Sequence, residues 1–413
     1  MPRFSRMSQQ PPWAEVAHLY IWPESTSLQN AIDNGKFETV YTMPGIKSDD
    51  MLVDKMAVAV SQITGKHVQR PNVATNVDGL KQLIAQGHLR MAYNLTTTLL
   101  TGYGQGLGRA GHPSRNSFET FEIWSCRFQL MMALKLHQGL VAELSAFENL
   151  DAPDTYFQYY PELAQQGYTG SMLPFQMRLI HAEAPRFTPN PVASVTLCCA
   201  LAEKVRQIIN QLKADAAPEA HVRLWEQRLE TVLLTKARAW FTMKEYHQCI
   251  AVYTELLPLV SDERKVKILQ HLQRVAVVIG DAKLVEHYSR EITIQNSGSA
   301  NFYLHKGIKA AFYGNYGKAV ENLQAAQKGS GGLTNPVVAN NEAICQLYHD
   351  KVEEAQSHLL SFPVTATEPI LINISTIATL AASSKDDSKR KFFAKSCDKM
   401  SDLFDPQASK VLC

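Results

Sequence analysis

The glycine run Gly106-Leu107-Gly108-Arg109-Ala110-Gly111 has the spelling GxGxxG, the spacing that lets backbone amides cradle a pyrophosphate. That chemistry needs a strand before the run and a helix starting at it, so that the helix end faces the phosphates. Here a helical pattern, YNLTTTLL, precedes the run, and His112-Pro113-Ser114 delays the next helix. No strand follows to carry an acidic ribose partner, and the Gly-Lys-Ser/Thr ending of a P-loop is missing. A closely packed turn accounts for the run better than a nucleotide-using enzyme does. The thirteen histidines are scattered, with no HExxH and no His/Cys cluster at metal spacing. Cys198 and Cys199 occupy consecutive helical positions, so they point in different directions, and neither has a base beside it in sequence. The basic run SKRKFFAK has four cations flanked by Asp386, Asp387 and Asp398, and fits a solvated helix face better than a lipid contact. No catalytic, cofactor-binding or metal-binding residue is therefore predicted, and the chain is not expected to be an enzyme.

Composition agrees. Net charge is +2 over 413 residues with 45% hydrophobic content, which suits a large core or the quasi-continuous core of a solenoid. The balance gives no reason to expect nucleic acid or an anionic membrane as the main partner. No apolar run reaches the ~18 residues of a membrane span, so direct membrane insertion is not expected. The opening MPRFSRMSQQPPW lacks the apolar stretch of a signal peptide, and Cys413 lacks the three following residues of a prenylation box. Seven cysteines (Cys126, Cys198, Cys199, Cys249, Cys345, Cys397, Cys413) without CxxC spacing read as small buried thiols of a reducing compartment. The expected location is cytoplasmic.

The elements that organise the chain show in Ala300 to Gly329. Two helical patterns flank a tight turn at Gly314-Asn315; Gly307 and Ala319 are the small residues at the crossing, and Tyr316, Leu323 and Ala326 form the apolar seam. Marking the small residue of each second helix gives Cys249, Val285, Ala319 and Ala355, at spacings of 36, 34 and 36 residues. The first-helix markers follow in step at Ala237, Gln273, Gly307 and Ala343, with Gln273 out of character for a small-residue site. This is the tetratricopeptide pattern of stacked antiparallel helix pairs. No run of alternating β-branched residues occurs. The predicted fold is all-α, an α-solenoid of tetratricopeptide-like helix pairs with an irregular N-terminal half and regular repeats in the C-terminal half.

Four regions follow. Residues 1–75 form an N-terminal extension with one helix, opened by Asp49-Asp50, carrying Leu52, Met56, Ala59 and Ile63 and ending at Gly65. Residues 76–220 hold irregular helix pairs, the glycine loop and an aromatic insertion. Pro185, Pro189 and Pro191 break a helix there. Residues 221–362 hold the regular repeats. Residues 363–413 cap the array, with Phe393, Cys397, Met400 and Phe404 inward and Lys389, Arg390, Lys391 and Lys395 outward.

Candidate partner-binding residues come from two places. The insertion ENLDAPDTYFQYYPELAQQGYTGSMLPF offers Tyr156, Phe157, Tyr159 and Tyr160 either as a docking surface or as a plug between irregular repeats. Aromatic clusters of this size favour the plug. On the array, the inward positions are Leu234 and Arg238, Gln270 and Arg274, Leu304 and Ile308, and Asn340 and Ile344, the wrong pattern for the Lys and Asn grip on a C-terminal carboxylate. An apolar face such as Leu304, Ile308 and Ala311 suits a protein surface or an inserted helix, and the array candidates are Leu304, Ile308, Asn340 and Ile344.

Five strings, LLTGYGQGLGRAG, NLDAPDTYFQYYPE, GSMLPFQMRLIHAE, VRLWEQRL and NPVVANNEAICQLY, resemble the helical-repeat region of the subunit 12 family of the TRAPP vesicle-tethering complex. The likeness covers about residues 77 to 360, with a weaker match from Leu19 to Gly65. It implies a non-catalytic subunit of the TRAPP III assembly, which activates a Rab GTPase through other subunits. It implies a brace joining arm subunits 8 and 11 with subunit 13, and roles in ER-to-Golgi transport, Golgi organisation and autophagy. The location implied is peripheral to early secretory and Golgi membranes. Family members carry a long low-complexity extension before the region, and this chain has almost none before Trp13. The alternative from the residues alone is a free-standing tetratricopeptide-repeat adaptor that binds peptide segments.

Overall fold

The computed structural model describes residues 13–37, 44–65, 67–112, 116–147, 149–295, 299–329, 335–360, 368–381 and 402–403. In chain order the first helices are α1 (Trp13–Val16), α2 (Thr26–Asp33), α3 (Lys55–Thr64), α4 (Val77–Ala85), α5 (Leu89–Gly102), α6 (Phe118–Ala133) and α7 (His137–Leu144). Then come α8 (Pro161–Gln165), α9 (Phe175–Glu183), α10 (Val192–Ala214), α11 (Glu219–Thr242) and α12 (Tyr246–Leu256). The rest are α13 (Asp262–Ile279), α14 (Ala282–Gln295), α15 (Ala300–Phe312), α16 (Tyr316–Lys328), α17 (Pro336–Tyr348), α18 (Val352–Leu360) and α19 (Glu368–Ala381). Among the described residues there is no strand, only an isolated antiparallel bridge between Tyr156 and Ser171. The fold is all-α, built of tetratricopeptide-like helix pairs.

The pairs share one way of turning. At Gly87, Lys135, Ala216, Lys244, Gly280, Gly314 and Asp350 the backbone is left-handed. Around each, the next amide reaches back five residues, as in Leu136 N to Met131 O (2.9 Å), Asn315 N to Ala310 O (3.0 Å) and Lys351 N to Gln346 O (2.9 Å). The left-handed residue itself bonds three back, as in Lys244 N to Phe241 O (3.0 Å). This double bond satisfies carbonyls that a helix end leaves open. Glycine takes that conformation without strain, whereas a lysine Cβ there crowds the carbonyl. Lys244→Gly should therefore raise stability by about 0.5–1 kcal/mol in urea unfolding. Asp350→Gly should give less, because aspartate tolerates the region better.

The eight marker positions are all buried. Ala237, Ala343, Cys249, Val285, Ala319 and Ala355 are fully buried, as are Gln273 and Gly307. Gln273 fits a small-residue site because its amide is consumed: Nε2 donates to Ser289 Oγ (2.8 Å), and Oε1 accepts from the ring of His305. Side-chain caps start three of the repeat helices. Asn315 accepts from Lys318 N, Ser299 from Phe302 N and Asn335 from Val337 N.

The chain divides into two compact units. The first holds the described residues up to Leu52, Ala74–Gln82 and Ala92–Val252. Its centre is α6, where Trp124, Phe128 and Phe147 pack ring against ring. Beside them lies a fully buried ion pair: Arg127 Nε donates to Glu143 Oε2 (2.7 Å) and Nη2 to Oε1 (2.8 Å). The other guanidinium hydrogens go to Thr96, Thr97 and the Tyr93 hydroxyl. The proline cluster does separate two helices, α9 and α10. The second unit holds Val53–Val73, Leu83–Met91 and the described residues from Tyr253 on. Within it α13 through α19 pack each on the next in chain order.

Several expectations move. The early helix starts at Lys55, later than Asp49-Asp50 suggested, because Asp54 is the residue that caps it, accepting from Ala57 N (2.9 Å). Met56, Val60 and Val68, from the region expected to be an N-terminal extension, share a core with Ala343, Ala355, Leu359, Ile370, Leu371, Ile374 and Ile377. Cys198, Cys249 and Cys345 are buried, but Cys199 is exposed and Cys126 half-buried, since neighbouring helical positions face different ways. Burial pushes the Cys198 thiol up to about 12. Cys397, Cys413, the SKRKFFAK run and the rest of the expected last helix lie outside the described residues.

Candidate partner-docking surface

The eight sequence-predicted residues have an unexpected feature in common: none of them is exposed. Tyr156 and Phe157 are fully buried, with Tyr159 and Tyr160 close behind. Trp13 packs edge-on against Phe157 (5.0 Å between centroids) and Tyr20 does the same (5.9 Å), while the Tyr156 hydroxyl donates to Pro23 O (2.9 Å). Burial pushes Tyr156 up to about 12, so it stays a neutral donor. The insertion thus packs as a plug, roofed by the segment from Trp13 to Pro23. Gly170 is left-handed, and a Cβ there would meet Tyr20 O at 2.1 Å, so the roof sits directly on the insertion's backbone.

A polar clasp fixes the same segment. Asp151 accepts from Trp22 Nε1 (2.9 Å), from Arg178 Nη1 (2.6 Å) and from Lys204 Nζ, and the Arg178 guanidinium lies over the Trp22 ring at 3.9 Å. Burial alone would raise the Asp151 pKa, but Arg178 and Lys204 outweigh it and hold the carboxyl down at about 2. Burial also lowers the Arg178 pKa in spite of Asp151, so the clasp is worth less than the shift of its carboxylate taken alone. The folded pKa lies below the ordinary 3.8, so this stabilisation is complete above that value and is lost as pH falls through about 2. Urea unfolding should show the parent losing about 2 kcal/mol between about pH 4 and pH 2 that Asp151→Asn does not lose.

The array positions are also occupied. Leu304 is buried with Ala319, Leu323, Ala326, Val338 and Cys345, and half-buried Ile308 packs against that cluster. Asn340 accepts from Asn373 Nδ2 (2.8 Å), and Ile344 packs against the core to which α3 and α19 contribute. The inner face of the last repeat is covered by this chain's own helices. Helical periodicity finds the apolar face, but a covering helix from far away in sequence leaves no trace in that period.

Sequence reasoning missed the residues that do stand out. Tyr313 and Tyr348 are 53% and 64% exposed, and Tyr348 stacks on Tyr316 (5.2 Å, 19°) at the edge formed by the turns. In the other unit, the glycine loop exposes Tyr103 and Leu107. The signal was available: aromatic or apolar residues within two positions of a left-handed turn residue. Exposed tyrosine at a rigid turn is well suited to protein contact, giving area at low entropy cost.

The glycine loop itself is structural. Helix α5 precedes it, and α6 starts only at Phe118. Local turns hold it, with Gln105 N donating to Leu100 O (2.9 Å) and Arg109 N to Gly106 O (3.2 Å). Gln105 is buried and accepts from Trp124 Nε1 (2.7 Å). Among the described residues no group of three His, Cys, Asp or Glu could hold a metal ion, and no helix is long and apolar enough to cross a membrane.

No family model matches the chain. Among solved structures, it overlays on Cut9–Hcn1 of the APC/C with TM-score 0.35 at 10% identity, covering 86% of this chain and 58% of that one. For yeast Tom70 the TM-score is 0.27 at 10% identity, covering 81% and 86%. Scores this low carry no argument. Among curated proteins, it is 27% identical over 400 residues to trafficking protein particle complex subunit 12 of Mus musculus, covering 90% of this chain and 50% of that protein. The Homo sapiens protein of the same name is 27% identical over 413 residues, covering 90% and 54%. The chain spans about half the length of these relatives. Over 90% of its own length, the chain is similar to trafficking protein particle complex subunit 12 of mouse and human.

Proposed function

We propose that the chain is a non-catalytic structural subunit of a TRAPP assembly, and within that of TRAPP III, the form that acts on a Rab GTPase in ER-to-Golgi transport, Golgi organisation and autophagy. Its work is to brace large neighbours, for which arm subunits 8 and 11 and subunit 13 are the candidates. The Rab is met only through the rest of the complex, and the location is cytoplasmic, at early secretory and Golgi membranes. The observation that carries this reading is the likeness to subunit 12 across 90% of the chain. The helix pairs of the second unit support it, since Tyr313 and Tyr348 are exposed beside their turns, where they suit protein contact.

The test is to isolate the tagged chain from its native cells and size the product. Co-migration with the other TRAPP subunits in one large assembly is the expected result, and Tyr313→Ser combined with Tyr348→Ser should loosen it while leaving the chain folded. A chain that runs alone, at the size of a monomer, would overturn the reading and favour the free-standing adaptor.

A further inference from the structure

Helices α13, α14 and α15 of the second unit enclose a groove of about 420 Å³, lined among others by Gln273, Arg290, Ile294, Phe302, His305 and Lys306. A water occupies roughly 30 Å³, so the groove has room for several side chains.

His305 sits at its base, 2% exposed, with no hydrogen-bond partner on Nε2. Its tautomer follows from its neighbour. The Gln273 amide nitrogen already donates to Ser289 Oγ and to His305 O, so its oxygen must accept, and His305 Nδ1 carries the hydrogen. Nε2 is then a bare lone pair. Burial, aided by Arg274 and His271, lowers the ring's pKa to about 3, so it stays uncharged in the physiological range. A buried acceptor left without a donor is costly, and a ligand that supplies an N–H or O–H relieves that cost.

The rim has the opposite demand. Arg290, Lys306 and Lys309 face the groove; Glu286 pairs with Lys309 (2.6 Å) and, more loosely, with Arg290 (3.5 Å). Lys306 lies 5.7 Å from the centre of the Phe302 ring. Three cations with one carboxylate between them call for acid. Phe302 and Ile294, the latter 77% exposed, call for an apolar side chain. A phosphate or lipid headgroup satisfies the rim but brings mostly acceptors to a base that is itself an acceptor.

We propose that this groove binds an acidic, extended segment of a partner protein. Its carboxylates meet Arg290 and Lys306, an apolar side chain covers Ile294 and Phe302, and a hydroxyl or amide hydrogen sits on His305 Nε2. The idea rests on the subunit reading only for the source of the segment, since binding by the isolated chain is measured separately from co-migration.

The test uses the full chain and fluorescence polarisation. The probe is a labelled peptide of about twelve residues that alternates glutamate, leucine and threonine. Matched peptides carry glutamine for glutamate, valine for threonine, or lysine for glutamate. The acidic peptide should bind saturably and roughly tenfold more tightly than the glutamine form, with the valine form weaker too. Arg290→Glu combined with Lys306→Glu should abolish that preference and take up the lysine peptide instead. Both side chains are exposed, so the variant keeps its fold, which circular dichroism would verify. Three results would overturn the proposal: no saturable binding, equal binding of the glutamate and glutamine forms, or binding of phosphatidylserine vesicles with none of the peptides.

Discussion

Arg127→Met should cost the first unit about 3–5 kcal/mol, the largest loss expected from any single exposed or buried charge in it. The guanidinium is fully buried, and removing it leaves the Glu143 carboxylate 2% exposed with the Lys47 amide (3.4 Å) as its remaining donor. Water does not reach a group so placed, and an unpaired buried charge is far costlier than the pair is valuable. Adding Glu143→Leu to Arg127→Met should therefore restore much of the stability, because Thr96 and Thr97 keep a bond to Tyr93 O. Urea unfolding followed by the fluorescence of adjacent Trp124 would report both. If the single variant lay within about 1 kcal/mol of the parent, the burial of the pair would be wrong.

Gly307→Trp should be comparably severe in the second unit. A Cβ at residue 307 would already lie 2.9 Å from Leu323 Cγ and 3.3 Å from Ala319 O. An indole cannot enter that crossing, so α15 and α16 must part and expose Leu304, Leu323 and Ala326. Overpacking of this kind exceeds the usual 1–3 kcal/mol, at roughly 3 kcal/mol or more. Hydrogen exchange should quicken across residues 300–328 first, before the first unit responds. Protection there equal to the parent's would show that the crossing is not where the 34-residue register puts it. Gly307→Ala is the informative companion, since it meets the same Leu323 atoms but gains helix propensity.

These two sites mark what was legible and what was not. Gly307 and Ala319 announce themselves because close helix crossings demand small residues at fixed offsets, and the same offsets pick out Ala237, Cys249, Ala343 and Ala355. Local chemistry of this sort survives in one dimension. Arg127 and Glu143 do not announce themselves, since nothing in their spacing says that two charges on successive helices will be driven inside together. The candidate contacts suffered in the same way. Tyr156 and Phe157 look alike in sequence whether they greet a partner or a roof, and their roof comes from Trp13 and Tyr20, more than a hundred residues away. Asn340 and Ile344 occupy the face that periodicity indicates, but Asn373 and the helix at Lys55 had taken it. Pattern gives orientation about a helix axis; occupancy depends on contacts across hundreds of residues.

One such contact bears on the order in which the protein is made. Met56 and Val60 leave the ribosome first, while Ile370 and Ile374, which share their core, follow roughly three hundred residues later. At about 5–20 residues per second the wait lasts from a quarter of a minute to a minute. During that interval the young helix has no native shelter for its oily side, and Arg90, whose mate is Asp402, is equally early. The closing step of the second unit is thereby deferred until Ile370 and Ile374 have emerged, and a nascent chain stalled short of Ile370 would be a natural client for chaperones that guard sticky helices.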